Sequence, residues 1–156
     1  EPAAGDAGRL ITTLSKTPFA YALLETEMRT PLITALAVLV VVDALGWGLS
    51  VPPVLKYALT HRRLPTLFGI RLLSGPLEAL GVESVVVAGL VFVVVSGLKL
   101  LAAYWLWHAR ADGAVLELIL LGLSALFWYA FELPFGPLAG IPQVILIALA
   151  WPSLVH

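Results

Sequence analysis

Four long apolar segments dominate the pattern of hydrophobic and polar positions along this chain. They cover about residues 31–50, 82–107, 114–133 and 138–155. An α-helix rises about 1.5 Å per residue, so roughly 20 apolar residues match the ~30 Å hydrocarbon core of a bilayer. The pattern therefore predicts an all-α protein, a polytopic bundle of about four transmembrane helices that forms a single domain over residues 31–155.

Proline and glycine indicate where these helices begin and end. Pro31 is suited to the first helical position of the first span, and the Pro52-Pro53 pair is expected to end that span. The turns at residues 108–113 and 134–137 are short, so the helices on either side of each turn are expected to lie antiparallel. With four spans, both ends of the chain lie on the same side of the membrane.

Residues 1–30 precede the first span and mix small, polar and apolar positions. We expect a mobile tail followed by an arm, which is either an amphipathic helix lying on the membrane or a loosely ordered segment. The chain begins at Glu1 rather than at methionine, so we expect that a segment upstream of it has been removed.

Residues 51–80 form a second stretch outside the spans, in which basic residues alternate with apolar ones. This pattern predicts a basic interfacial loop containing one or two short amphipathic helices at the level of the lipid headgroups. The candidate headgroup-binding residues are Lys56, Arg62, Arg63 and Arg71. Such side chains attract anionic lipid at roughly 1 kcal/mol per charge, but a basic loop also serves simply to orient the spans, and we expect this loop to be cytoplasmic.

Ionisable side chains interrupt the apolar segments, and they are the candidate functional residues. A charge at the centre of a membrane helix costs at least about 2.5–3.5 kcal/mol, so such residues usually pair with one another or have a task. Counting along the helices makes an ion pair between Asp43 and Lys99 feasible, with Glu117 as the competing partner for Lys99. The residues expected to line a polar path, or to form a buried ion pair, are Asp43, Ser96, Lys99, Glu117 and Glu132.

An alternative interpretation of these residues is purely structural. In that case Asp43 and Lys99 form a satisfied pair, while the carboxylates of Glu117 and Glu132 extend towards the headgroups. Glu83 and Glu132 are near the basic loop in sequence terms, and they are suited to pair with its arginines.

Two helix faces indicate how the bundle packs. One face of the third span carries polar edges, at Glu117, Ser124, Trp128 and Glu132. A stripe of small residues recurs at heptad spacing in the second span, at Gly89, Ser96 and Ala103. We expect this small-residue stripe, or the uncharged fourth span, to contact a second copy of the chain or a membrane-protein partner.

Composition excludes several classes of function. Hydrophobic residues make up 60% of the chain and charged residues 12%, with a mean hydropathy of +0.99. The net charge of −1 argues against a nucleic-acid-binding protein, and the lack of cysteine excludes thiolate chemistry. The histidines, at His61, His108 and His156, fall at or outside the predicted interfaces, so a membrane haem is not expected. No metal-ligand or phosphate-binding motif is present, and no cofactor is predicted.

Residues 98–137 have a distinctive pattern. One helix ends in aromatic-Leu-Trp-x-x-Arg, at Tyr104, Leu106, Trp107 and Arg110, and the next carries a late Phe131-Glu132 pair. This stretch resembles a family of small, uncharacterised bacterial and archaeal four-helix membrane proteins, and small four-helix oxidoreductase accessory subunits look broadly similar. The resemblance covers about a quarter of the chain and implies architecture only, because the family has no activity to carry over.

Taken together, these patterns predict an integral protein of a prokaryotic cell membrane that contacts membrane lipids. The ionisable residues within the spans favour a transporter or channel-like protein. Two alternatives remain open: a non-catalytic accessory or scaffold subunit of a membrane complex, and a lipid-binding protein that uses the basic loop. No catalytic residue is predicted.

Overall fold

The computed structural model describes residues 18–67, 70–133 and 135–155, and their side chains from residue 31 onward except at residues 67 and 70. Its four α-helices are α1 Pro18–His61, α2 Val82–Trp107, α3 Ala111–Ala130 and α4 Gly136–Ala150. The shorter elements are the strands β1 Thr66–Leu67 and β2 Ile70–Arg71 and the 3₁₀ helices Pro76–Leu80 and Trp151–Ser153. Residues 1–17, which include the predicted tail and the start of the predicted arm, lie outside the described residues.

The predicted all-α fold with four spans is confirmed. Four segments are helical, long and apolar enough to cross a membrane: Pro31–His61, Val82–Trp107, Ala111–Ala130 and Gly136–Ser153. The second span has the predicted bounds, whereas the ends of the other three differ from the prediction.

The prediction that Pro52-Pro53 ends the first helix is wrong, because α1 continues through both prolines to His61. Both prolines face outward from the bundle, where their rings displace no neighbouring helix. On the opposite face of the same turns, Val51 and Leu55 are buried against other helices. The burial of this face compensates for the hydrogen bonds that the prolines remove. At its other end α1 begins at Pro18, so the predicted interfacial arm and the first span share one helix.

Two apolar clusters show that the spans alternate in direction. The terminus-side cluster joins the start of the first span to the ends of α2 and α4 and the start of α3; it contains Ile33, Leu36, Ala37, Val40, Ala103, Leu106, Ala111, Ala114, Ile147, Ala150 and Leu154. The loop-side cluster joins the end of α1, the start of α2 and the end of α3; it contains Val51, Leu55, Ala58, Leu64, Leu73, Val85, Val86, Phe92 and Phe131. Neighbouring spans therefore lie antiparallel, and the first span starts on the side where the chain ends, as expected.

The first loop is only partly helical, since a pair of short strands precedes its 3₁₀ helix at Pro76–Leu80. Residues 51–61 belong to α1, and an antiparallel pairing of β1 with β2 follows, with Thr66 opposite Arg71. Gly75 has a φ of 137° and lies against the end of α3, where a Cβ atom would be 2.5 Å from the Ala130 carbonyl oxygen. Only glycine combines this backbone conformation with so close an approach, and it holds the loop against the bundle.

The third span ends at Ala130 rather than at residue 133. Glu132 has a φ of 48°, a left-handed conformation that turns the chain away from the helix. As a result Phe131 is buried in the loop-side cluster, and its ring stacks on Phe127, with the centroids 6.1 Å apart. Phe131 therefore lies inside the bundle, whereas Tyr129, two residues earlier, is exposed.

The small-residue stripe of α2 packs within the chain. A Cβ atom at Gly89 would lie 2.5 Å from Leu55 Cδ2 of α1, and the Ser96 Cβ lies 3.9 Å from the Cβ position of Gly48. Ala103 is buried in the terminus-side cluster. The small-residue stripe thus lets α1 and α2 approach each other closely within one chain. From the sequence, the stripe was expected to contact another chain.

Candidate functional site

A layer of polar side chains lies between the two apolar clusters, and we call it the polar layer. All four helices contribute to it, and its members are Asp43, Ser96, Lys99, Glu117, Ser124 and Gln143. Each of these residues is buried. A polar layer between two apolar ones is the arrangement expected for a site in the middle of a membrane.

Helical periodicity explains why the three charged members of the layer, Asp43, Lys99 and Glu117, share a level. Asp43 follows Val40 of the terminus-side cluster by about one turn, and Lys99 precedes Ala103 of that cluster by about one turn. Glu117 follows the same cluster on α3 by one turn. The three side chains thus point into the bundle about one turn from the terminus-side cluster, on the side that faces the loop-side cluster.

The Lys99 ammonium group contacts two carboxylates. Its Nζ atom donates a hydrogen bond to Asp43 Oδ2 at 2.6 Å and lies 3.1 Å from Glu117 Oε1. The side chains of Lys99, Asp43 and Glu117 are only 3%, 2% and 0% exposed. The structure therefore contains the ion pair expected between Asp43 and Lys99, and Glu117 joins it rather than replacing Asp43.

The length of α1 accounts for the common level of Asp43 and Lys99. Measured from an end at Ser50, Asp43 would be about 10 Å from the basic-loop side and Lys99 about 25 Å, a mismatch that needed tilt and side-chain reach. Because α1 runs on to His61, Asp43 lies about five turns from its end. The two side chains then meet without such adjustments.

The two carboxylates make unequal contacts with Lys99. The Asp43 contact is a hydrogen-bonded ion pair, whereas the Glu117 contact is close in distance but poorly aligned, and both Glu117 oxygens have no hydrogen-bond partner among the described residues. With all three groups ionised, this triad carries a net charge of −1. A buried net charge is costly unless a further cation or proton balances it.

Other buried polar groups, between the triad and the loop side, also have no hydrogen-bond partner within the described part of the chain. They are Ser124 Oγ, Trp128 Nε1 and both amide atoms of Gln143. Ser96 differs, since its hydroxyl donates to the Phe92 carbonyl oxygen at 2.9 Å. Ser96 is therefore buried in the layer, but its hydroxyl is already used within α2.

Sequence reasoning missed Gln143. The fourth span looked uniformly apolar, and a single amide did not stand out. The signal was present in the spacing of the buried residues of α4, Gly136, Gly140, Gln143, Ile147 and Ala150, which share one helix face. A glutamine on the inward face of a membrane helix needs a polar partner.

Glu132 does not join the polar layer. It follows the end of α3 and is exposed, beside a groove of about 500 Å³ that also contacts Pro76, Trp128 and Pro137. The left-handed turn at this residue removes it from the helix face that it was expected to share with Glu117. Glu132 therefore lies at the loop-side surface and not beside Lys99.

The four candidate headgroup-binding residues are exposed at the loop side, and two of them have carboxylate partners. Arg62 pairs with Glu83 at 2.9 Å, as the sequence allowed, and Arg71 pairs with Glu78 at 2.7 Å. Lys56 lies on the last turns of α1, within the span rather than in a loop. Part of the positive charge of this surface is thus neutralised by neighbouring acids.

The described part of the polar layer does not contain the cluster of three ligands that holds a resident metal ion. Across residues 18–67, 70–133 and 135–155, no group of three His, Asp or Glu side chains is arranged to hold a metal ion. Lys99 lies between the two carboxylates, at the position where a shared cation would bind.

Comparison with known proteins gives no match: no family model, no curated protein and no solved structure is significantly similar to this chain. The resemblance carried by residues 98–137 stays a prediction. The molecule is a bundle of four helices that are long and apolar enough to cross a membrane, with a buried Asp43–Lys99–Glu117 network in its interior.

Proposed function

We propose that this protein transports a small monovalent cation, a proton or a metal cation of charge +1, across its membrane. The observation that carries the proposal is the excess carboxylate of the buried triad. One ammonium group faces two carboxylates at a level where charge is costly, so binding of one cation makes the triad neutral.

The geometry assigns different roles to the two acids. Asp43 holds Lys99 through a short, aligned hydrogen bond, so we treat these two residues as a fixed pair. Glu117 makes the longer and poorly aligned contact, and its oxygens have no hydrogen-bond partner in the described part of the chain. Glu117 is therefore the residue that we expect to take up and release the cation.

Stability alone does not require this arrangement. A buried ion pair is often no more stabilising than apolar residues of similar volume, and a third charge adds a further desolvation cost. Ionisable residues inside membrane spans usually mark ion pathways or proton relays. The cost of the triad supports a functional rather than a structural role.

Flux measurements on purified protein in liposomes test this proposal. A potassium gradient with valinomycin sets a membrane potential that drives proton or sodium entry, which a trapped pH dye or sodium indicator reports. Potassium flux is measured separately, without valinomycin, down a potassium gradient with a trapped potassium indicator. Glu117→Gln is expected to reduce the potential-driven flux to below about a tenth. This corresponds to an increase of at least ~1.4 kcal/mol in the activation free energy of transport. Glu83→Gln is the matched control, since it removes an exposed carboxylate from α2 and should leave flux unchanged.

The proposal fails if Glu117→Gln is folded, by gel filtration and thermal unfolding, and still carries cations at the rate of the unmodified protein. It fails equally if the unmodified protein carries no proton, sodium or potassium. In the second case a partner that co-purifies at fixed ratio would favour the accessory-subunit alternative. The lipid-binding alternative has less support, because Glu83 and Glu78 already neutralise Arg62 and Arg71.

A further inference from the structure

A line of polar atoms extends from the triad towards the loop side, and the triad itself does not use it. On α3, Ser124 lies two turns beyond Glu117, about 10 Å along the axis, and Trp128 lies one turn further. On α4, Gln143 lies about one turn from Gly140, a glycine that the Trp128 ring contacts. The unpartnered Ser124 hydroxyl, Gln143 amide and Trp128 Nε1 thus follow the boundary between α3 and α4.

Such groups are costly where nothing binds them. A buried polar group without a hydrogen bond costs about 1–3 kcal/mol, and Gln143 alone presents two amide donors and an acceptor. The side chains of Ser124 and Gln143 are almost fully buried, so they do not reach the bilayer surface themselves. Three such groups in succession indicate a route that water or a cation occupies.

The line ends at a groove on the loop-side surface. The groove has a volume of about 500 Å³, and Trp128 and Glu132 both contact it. Glu132 places an exposed carboxylate at its edge, which attracts cations to the opening.

Trp128 separates the groove from the deeper polar atoms. Its ring lies flat against Gly136 and Gly140 of α4, so close that a Cβ atom at either glycine would collide with it. These glycines let the indole ring fill the space between α3 and α4 at this level. Displacement of one side chain, rather than of a helix, is then enough to connect the groove with Ser124 and Gln143.

We infer that water and the transported cation reach Glu117 from the loop side, along the α3–α4 boundary past Ser124 and Gln143, with Trp128 as the gate at the Glu132 groove. The identity of the cation rests on the proposed function, but the route is measured without any flux.

The chain contains no cysteine, so single-cysteine variants test the route directly. A thiol reacts with a charged, membrane-impermeant methanethiosulfonate only where water lets it ionise. Ser124→Cys replaces one small side chain by another, and Gln143→Cys provides a second reporter if the first variant folds poorly. Leu126→Cys is the matched control, because Leu126 lies two residues from Ser124 at similar depth but is 66% exposed on the outer face of α3.

Two exposed positions define the sides of the membrane. Glu132→Cys reports reagent on the loop side, and His108→Cys reports reagent on the opposite side. We expect Ser124→Cys to react when Glu132→Cys is accessible, at least about tenfold faster than Leu126→Cys, and not when only His108→Cys is accessible. Reaction of Ser124→Cys and Gln143→Cys from the His108 side alone, or no faster than Leu126→Cys from either side, overturns the route.

Trp128→Ala tests the gate in the same assay. It should accelerate labelling of Ser124→Cys by about tenfold or more, because removal of the indole ring gives water and reagent in the groove access to the thiol. Trp47→Ala is the matched control, since Trp47 is a half-buried tryptophan of α1 that packs on Phe92 away from the α3–α4 boundary. Equal acceleration by both variants, or none by Trp128→Ala, would show that Trp128 is no gate.

The two proposals fail separately. Loop-side labelling of Ser124→Cys in a protein without cation flux keeps the route and discards transport. Flux that depends on Glu117, together with an unreactive Ser124→Cys, keeps transport and discards this route.

Discussion

Two groups of paired charges lie in different parts of this molecule. The triad of Asp43, Lys99 and Glu117 is enclosed between two apolar clusters, with its side chains at most 3% exposed. The Arg62–Glu83 pair lies at the loop side, where the two side chains are 71% and 83% exposed. The nitrogen–oxygen distances, 2.6 Å for Lys99–Asp43 and 2.9 Å for Arg62–Glu83, differ little.

The difference lies in what surrounds each pair. Water solvates the loop-side pair whether or not its partners meet, so its contribution to stability is small. In the polar layer the carboxylates depend on Lys99 and Lys99 depends on them, because protein and lipid offer no comparable solvation. Similar distances therefore correspond to very different consequences when one partner is removed.

Removal of the central cation should produce the largest effect. Lys99→Met leaves two carboxylates facing each other in an apolar interior, and breaking a buried ion pair in this way costs about 3–5 kcal/mol. We expect that loss in the free energy of unfolding, measured in detergent with SDS as denaturant. Lys56→Met is the matched control, because Lys56 is exposed near the end of α1, and it should change stability by less than about 0.5 kcal/mol. Equal losses in the two variants would contradict the comparison.

The two acids of the triad allow a sharper test, since both variants remove one negative charge. Asp43→Asn breaks the aligned hydrogen bond to Lys99 and should cost about 1.5–3 kcal/mol. Glu117→Gln leaves the Lys99–Asp43 pair intact and removes the excess charge, so its cost should stay below about 1 kcal/mol or reverse in sign. The same SDS unfolding assay compares them. A larger loss for Glu117→Gln would mean that Glu117, rather than Asp43, holds Lys99.

Much of this fold can be predicted from the sequence, because the bilayer sets the length of the helices and requires charges inside them to pair. The bilayer imposes a minimum length of apolar helix, so hydropathy alone places the second span at Val82–Trp107. Charges inside such helices need partners, so the meeting of Asp43 and Lys99 could be expected from their presence alone.

Other features depend on tertiary packing that a local pattern does not contain. Pro52-Pro53 is a strong local signal for a helix end, but burial of Val51 and Leu55 on the opposite face overrides it. Glu132 carries no local signal for a left-handed turn, because that conformation is unfavourable for a residue with a Cβ atom. Gln143 is one amide in an apolar span, and only the direction of its helix face makes it part of the site.

The smallest effects should come from the loop-side pairs, and their size completes the comparison. Arg62→Gln and Arg71→Gln should each cost less than about 1 kcal/mol, with the greater loss for Arg71 because its partner Glu78 is only 32% exposed. Raising the ionic strength from about 0.01 to 1 M shortens the screening length from roughly 30 to 3 Å, so these small losses should vanish in high salt. The loss caused by Asp43→Asn should persist, because salt does not enter the polar layer. The test is to measure the free energy of unfolding of the three variants at both ionic strengths. If the Asp43→Asn loss also disappeared in high salt, the triad would be open to solvent in the folded protein, and the contrast between the two regions would not hold.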